Sequence, residues 1–241
     1  MRDQDQPRGV TMAFLLTLLA VTPTALSGDL RLVEAARNQD QPQIRSLLNQ
    51  HTDVNERAED GSTALLWATH WNDLPTADLL VRAGANANTA NDFKMTPLSQ
   101  ACTNASSAMV DLLLQAGANP NTPIGTGETP LMTCARTGNQ DAVAMLLGHG
   151  ADVNGKEPSQ NQTALMWAAA EAHPKVLQTL IKAKADLRAH TKEGFTALHF
   201  SVRVGDLEST RILLDAGVDV NIRAQPDAGS RQESRLSLIH I

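Results

Sequence analysis

The 241-residue chain has no tyrosine, and its aromatic residues amount to only 3%. Large rings therefore cannot fill its core. Ala, Leu, Val and Met must do so, and side chains that small suit closely stacked helices. Basic runs are missing too: Lys182 and Lys184 are the nearest approach to one, and the formal net charge is -6. Phosphate backbones are bound mainly by clustered Lys and Arg, so nucleic acid is not the expected partner. Acidic residues are scattered as well, which suits solubility and a neutral or basic partner. The N-terminal apolar stretch, residues 13–21, falls far short of the roughly 20 residues that a membrane-spanning helix needs, so no span is expected. A glycine-rich phosphate loop, a Gly-x-Ser-x-Gly elbow and closely spaced zinc ligands are all missing. Nothing here calls for catalysis, a cofactor, a metal or a small-molecule substrate.

What the N-terminus does carry has the pattern of an export signal. Arg2 and Arg8 precede the apolar stretch, and Ala25-Leu26-Ser27 puts small residues where a signal peptidase reads, giving residues 1–27 as the signal and a mature start near Gly28. Met12 is an alternative start codon. The location expected is periplasmic or secreted, in a bacterial protein.

The body of the chain repeats itself. Thr63, Thr96, Thr129, Thr163 and Thr196 are separated by 33, 33, 34 and 33 residues, and each opens a phrase such as Thr96-Pro97-Leu98 or Thr196-Ala197-Leu198-His199. Thr caps helices through its hydroxyl, and Pro97 and Pro130 follow where a missing N–H is harmless, so a short helix is expected from each Thr. Ten residues on come Asp40, Asp73, Ser106, Asn139, His173 and Asp206, most of them good caps for a second helix. That helix carries paired apolar residues, Leu47-Leu48 through Leu213-Leu214, which must face the neighbouring unit. It ends at Gly84, Gly117, Gly150 and Gly217, where glycine takes the left-handed conformation easily. His51 and Lys184 depart from this rule, each at a cost of about 1 kcal/mol relative to glycine. Turn-formers such as Asn86-Ala87-Asn88 and Asp152-Val153-Asn154 then lead into projecting loops.

A 33-residue period with Thr-Pro-Leu openings, paired leucines and Gly-Ala-Asp-Val-Asn endings resembles the ankyrin family. The resemblance implies an all-α repeat solenoid of stacked helix-turn-helix units with projecting β-hairpin loops. The units run over 28–59, 60–91, 92–125, 126–160, 161–192 and 193–224. It also implies a protein-binding module that recognises a macromolecular partner by its concave face and hairpin tips. In such units the residues four and eight after the Thr face the concave side. The first row is Trp67, Gln100, Thr133, Trp167 and Phe200; the second is Trp71, Asn104, Thr137, Glu171 and Val204. All three tryptophans of the chain lie in these rows, and exposed aromatics are enriched at interface hot spots. With His70, Trp67 and Trp71 would form an aromatic patch, since positions four apart share a helix face. The other reading is that Trp67 and Trp167 fill gaps between alanine-rich helices. Among the tips, Phe93 stands out for binding, while tip charges such as Glu59, Asp60 and those of residues 156–162 read as solvated. The candidate partner-binding residues are therefore Trp67, His70, Trp71, Phe93, Gln100, Asn104, Trp167, Glu171 and Phe200.

His199 occupies the family's opening motif and is expected to support its turn by hydrogen bonding. Cys102 and Cys134 sit where other units carry Ala or Thr; they are either two small buried side chains or, in an exported protein, a disulfide between neighbouring units. After Asn221 residues 225–235 read as the start of a truncated next unit, and residues 236–241 as translated sequencing adapter. A chain ending there leaves its last apolar face uncovered, which predicts low stability and self-association. The alternative function is that of a targeting module of a larger enzyme whose catalytic domain lies beyond the truncation.

Overall fold

The computed structural model describes residues 29–224. The export signal, residues 225–235 and residues 236–241 lie outside that range.

Twelve helices fill the described residues, alternating short and long. The inner row comprises α1 (Arg31–Arg37), α3 (Ala64–His70), α5 (Pro97–Thr103), α7 (Pro130–Arg136), α9 (Ala164–Ala170) and α11 (Ala197–Val204). The outer row comprises α2 (Gln41–Asn49), α4 (Leu74–Arg82), α6 (Ser107–Gln115), α8 (Gln140–Gly148), α10 (Pro174–Lys182) and α12 (Leu207–Asp215). Each inner helix packs on the next inner one and on the outer helix that follows it, and the outer helices stack from α4 to α12. This is a one-dimensional array in which every unit leans on its neighbours.

Local chemistry sets these boundaries. The hydroxyls of Thr63, Thr96, Thr129 and Thr163 accept the backbone N–H three residues on, at the N-termini of α3, α5, α7 and α9. At Thr196 the backbone N–H donates to Nδ1 of His199 over 3.1 Å, so the histidine supports the turn as its motif implies. Asp40, Asp73, Asn139 and Asp206 cap the outer helices, whereas Ser106 and His173 stand at the same place without a capping bond. Instead His173 reaches back with Nε2 to the carbonyl of Arg136 at 2.9 Å.

The core repeats with the sequence. Leu32, Leu65, Leu98, Leu131, Leu165 and Leu198 are buried at one level of the inner row, and Ala68, Ala101, Ala135 and Ala168 let the helices approach. In each apolar pair of the outer helices the first member is buried, down to Leu213 in the last unit. The exposed large apolar side chains of the sixth unit are Phe195, Val202, Val204, Leu207, Leu214 and Val220.

Besides one position in each projecting loop, two turns per unit, one on each side of the outer helix, use the left-handed region. At the end of the outer helices φ is positive at Gly84, Gly117, Gly150 and Gly217, and also at His51 (57°) and Lys184 (69°). The second row, between inner and outer helix, was not foreseen: Gln39, Asn72, Ala105, Gly138, Ala172 and Gly205 all have positive φ. At Gly138 a Cβ would also lie 2.6 Å from the ring of His173, so glycine is needed there twice over.

The projecting loops return on themselves through single backbone bonds rather than strand pairs. Ala58 donates to Ser62, Asn91 to Met95, Ile124 to Glu128, Glu157 to Gln162 and Thr191 to Phe195. Successive loops are tied by Asp92 N–H to Asp60, Gly125 N–H to Phe93 and Lys192 N–H to Gln160. At the opposite end of each unit runs an asparagine ladder. Asn55, Asn88 and Asn121 each donate to the carbonyl of the glycine 29 residues on, and accept the N–H of residue 86, 119 or 152 of the next unit. Asn154 still accepts from Asp186, but Arg188 replaces the next asparagine and the ladder stops.

Cys102 and Cys134 are bridged. They join α5 to the facing α7 with Cα atoms 4.7 Å apart, and both are fully buried. Of the two readings left open by the sequence, the structure takes the disulfide.

Candidate partner-binding face

The rows four and eight residues after each threonine serve different purposes. The second row is largely used to hold units together. Trp71 donates its Nε1–H to the carbonyl of Arg37 at 3.0 Å, and Asn104 donates to the carbonyls of Thr69 (2.7 Å) and His70 (3.2 Å). Thr137 donates to the carbonyl of Cys102 at 3.1 Å. Each of these side chains satisfies carbonyls at the C-terminal end of the preceding inner helix, which that helix cannot satisfy itself. Glu171 is exposed and Val204 is 45% exposed.

In the first row, Phe200 is only 6% exposed and belongs to the core, which corrects its assignment as a contact residue: its ring packs under Phe195, 6.4 Å away. Thr133 is buried as well. Trp67 and Trp167 are partly buried and pack on the core with one side, so each fills a gap between helices and still presents a surface.

The structure does bring Trp67, His70 and Trp71 together. The two indoles are stacked with centroids 6.4 Å apart, and His70 sits edge-on to both, at 5.5 Å from Trp67 and 4.7 Å from Trp71. Trp71 remains 44% exposed despite its hydrogen bond. Trp67 also lies between two hollows. One, of about 400 Å³, runs between α1 and the first loop past Glu34, Arg37, Glu59 and Asp60. The other, of about 160 Å³, runs to Asn91 and to Met95 and Gln100 of the third unit. Gln100 therefore joins the patch, with its amide bonded to Asn104 at 3.2 Å. Trp167 and Glu171 stand three units along the array, and Phe93, 75% exposed, lines neither hollow.

Guanidinium groups accompany the aromatic rings. Arg37 lies 5.3 Å above Trp67 and Arg136 lies 5.9 Å above Trp167, each reaching from one unit onto the tryptophan of the next. Arg203 covers Phe200 within its own unit at 5.0 Å. The sequence signal for this is an arginine seven residues after the opening position, in the unit before a tryptophan at four. Asp60 is held below the ordinary carboxylate range, chiefly by the N–H of Ser62, with the charge of Arg37 a lesser contributor.

Loop charges are not all solvated. Glu157 is 3% exposed, and its carboxylate accepts the N–H groups of Ser159, Gln160 and Gln162. Burial would raise its pKa, but these bonds outweigh that and lower it. Among the described residues no group of three or more His, Cys, Asp or Glu could hold a metal, and no helix is long and apolar enough to cross a membrane.

The family description "Ankyrin repeats (3 copies)" matches residues 32–124, 77–157, 120–191 and 154–224. The chain belongs to the ankyrin-repeat family. Among curated proteins, this ankyrin-repeat chain is 28% identical over 179 residues to Palmitoyltransferase AKR1 of the yeast Lachancea kluyveri, covering 73% of the chain and 20% of that protein. It is 37% identical over 71 residues to Neurogenic locus notch homolog protein 1 of Xenopus tropicalis and of Homo sapiens, covering 30% of the chain and 3% of those proteins. The chain thus spans a fifth or less of these relatives, all of them eukaryotic. Ankyrin repeats generally mediate protein–protein interaction, and the fold itself is non-catalytic.

Proposed function

We propose that this ankyrin array binds another protein through the face formed by Trp67, His70, Trp71 and Gln100. The observation that carries the reading is a stacked pair of partly exposed indoles, of which Trp67 lies between two hollows. Trp, Tyr and Arg are enriched at interface hot spots, and Trp67, Trp71 and Arg37 meet here. Trp167 with Glu171, and Phe93 at its loop tip, extend the face along the array.

Export to the periplasm or outside a bacterial cell remains part of the proposal. It is supported by the leader pattern in residues 1–27 and by the Cys102–Cys134 bridge, since disulfides persist in oxidising compartments. A mature N-terminus at Gly28 in exported material would bear it out, and intact Met1 or Met12 in the cytosolic fraction would refute it.

A second reading, a targeting module within a larger enzyme, is favoured by one observation: a relative named as a palmitoyltransferase devotes a fifth of its length to the matching region. The downstream reading frame at the source locus decides it.

The binding proposal is tested with partner recovered on the immobilised protein and then purified. Trp67→Ala is expected to weaken the reconstituted complex about thirtyfold or more, as for a hot spot worth at least about 2 kcal/mol. Unchanged affinity with an intact circular dichroism spectrum rejects the patch.

A further inference from the structure

The free faces around Trp67 are not electrically neutral. The larger hollow carries the carboxylates of Glu34, Glu59 and Asp60 against the single guanidinium of Arg37. Glu34 and Glu59 are exposed. Asp60 has its carboxylate fixed by the N–H and hydroxyl of Ser62, both at 2.9 Å, and is held ionised. An indole face attracts a cation through its quadrupole, more so where the surrounding field is negative. The ring of Trp67 already shows this preference, because Arg37 of the preceding unit lies over it at 5.3 Å. Arg37 is itself exposed, and its hold on Trp67 is a contact between side chains, so it can be displaced without breaking the backbone arrangement; the Trp71 bond uses only its carbonyl.

We infer that Trp67 is the floor of a seat for a lysine or arginine side chain of a basic partner segment, and that Arg37 occupies this seat in the free protein as an internal competitor. This rests on the binding function proposed above and specifies the chemistry of the partner. Glu34, Glu59 and Asp60 rim the seat and select positive charge. The smaller hollow beyond Trp67, floored by Leu66 and Met95, takes an adjacent apolar side chain of the same segment. The partner expected is therefore an extended peptide segment with a basic residue beside an apolar one. A partner of that kind also fits the net charge of -6 on the whole chain.

The test starts from displayed random peptides selected on the full-length protein, followed by fluorescence-polarisation titration of synthetic copies of the winners. Selected sequences are expected to share a Lys or Arg next to an apolar residue. Replacing that basic residue by norleucine should weaken binding tenfold or more. On the protein side, affinity should fall in the order Trp67, Trp67→Phe, Trp67→Leu. Glu34→Gln with Glu59→Gln should cost roughly three- to tenfold, less at high salt. Arg37→Ala should tighten binding, because the competitor is removed.

Peptides that depend on Trp67 but lack a basic residue, or an Arg37→Ala protein that binds several-fold more weakly, overturn the inference while leaving the binding function standing. Failure to select any peptide that depends on Trp67 overturns both.

Discussion

A non-glycine residue stands in a left-handed turn at each end of α10, and this makes a sharp test of the backbone reasoning. Ala172 has φ of 56° and Lys184 has φ of 69°, where Gly138 and Gly205, and Gly84, Gly117, Gly150 and Gly217, stand in other units. A Cβ placed on any of those last four glycines would meet no atom within 4 Å, so the penalty at such a site is torsional and not a clash. An L-residue in this region costs about 1–2 kcal/mol. Glycine removes that cost but gives back about 0.5–1 kcal/mol through the greater freedom of its unfolded chain. The net gain per site is about 0.5–1 kcal/mol. Both side chains are exposed and bury little, so no packing is lost. The sites lie at opposite ends of a nine-residue helix, about 14 Å apart, which makes the two gains additive. Ala172→Gly with Lys184→Gly is therefore expected to stabilise the protein by about 1–2 kcal/mol, raising Tm by roughly 2–8 °C. Thermal and urea denaturation followed by circular dichroism measures this, with hydrogen exchange of the α10 amides as the local readout. Gly150→Ala is the reverse experiment and is expected to lose a similar amount per site. A double variant no more stable than the parent, beside a harmless Gly150→Ala, would refute the torsional argument.

Further consequences follow for other parts of the array. Arg188→Asn restores the missing rung, since Gly217 and Asp219 lie 29 and 31 residues on as in the earlier units; a gain of about 1 kcal/mol and slower exchange of the Asp219 amide are expected. Glu157→Gln removes a carboxylate that accepts three backbone N–H groups and is expected to cost about 1–3 kcal/mol in urea denaturation. Because the folded pKa of Glu157 is lowered, its contribution is present above the ordinary glutamate value and is lost as the pH falls through the folded one. The parent's advantage over Glu157→Gln should accordingly vanish in acid. Reducing the Cys102–Cys134 bridge, with a sequence separation of 32, is expected to cost about 3–4 kcal/mol by loop entropy, and denatured protein made in an oxidising compartment should show no reactive thiol until reduced.

Much of the architecture was readable because ankyrin units obey short-range rules. A threonine cap, a glycine stop and a leucine pair act within a few residues, so Thr63 or Gly117 announces its role without knowledge of its neighbours. What the sequence hid depends on the unit next door. Trp71 looked like a free contact residue until its indole N–H met the carbonyl of Arg37, one unit back. Phe200 occupies the same row as Trp67 but is buried beneath Phe195, a residue outside the row. Glu157 passed for a solvated tip charge because the N–H groups that bury it come from an irregular loop carrying an extra residue. The turn row containing Ala105 and Ala172 went unseen since only Gly138 and Gly205 mark it with glycine.

The bridge between α5 and α7 has a mechanical meaning. Pulled from its ends, a solenoid lengthens as units peel away, and each residue released adds about 3.5 Å of contour. The 32 residues separating Cys102 from Cys134 are shorted by a covalent bond, so about 110 Å of length stays out of reach of the load until that bond is reduced. The oxidised protein behaves under tension as two extensible arms joined by an inextensible clasp, and the arm carrying Trp67 and Arg37 can stretch without undoing the clasp.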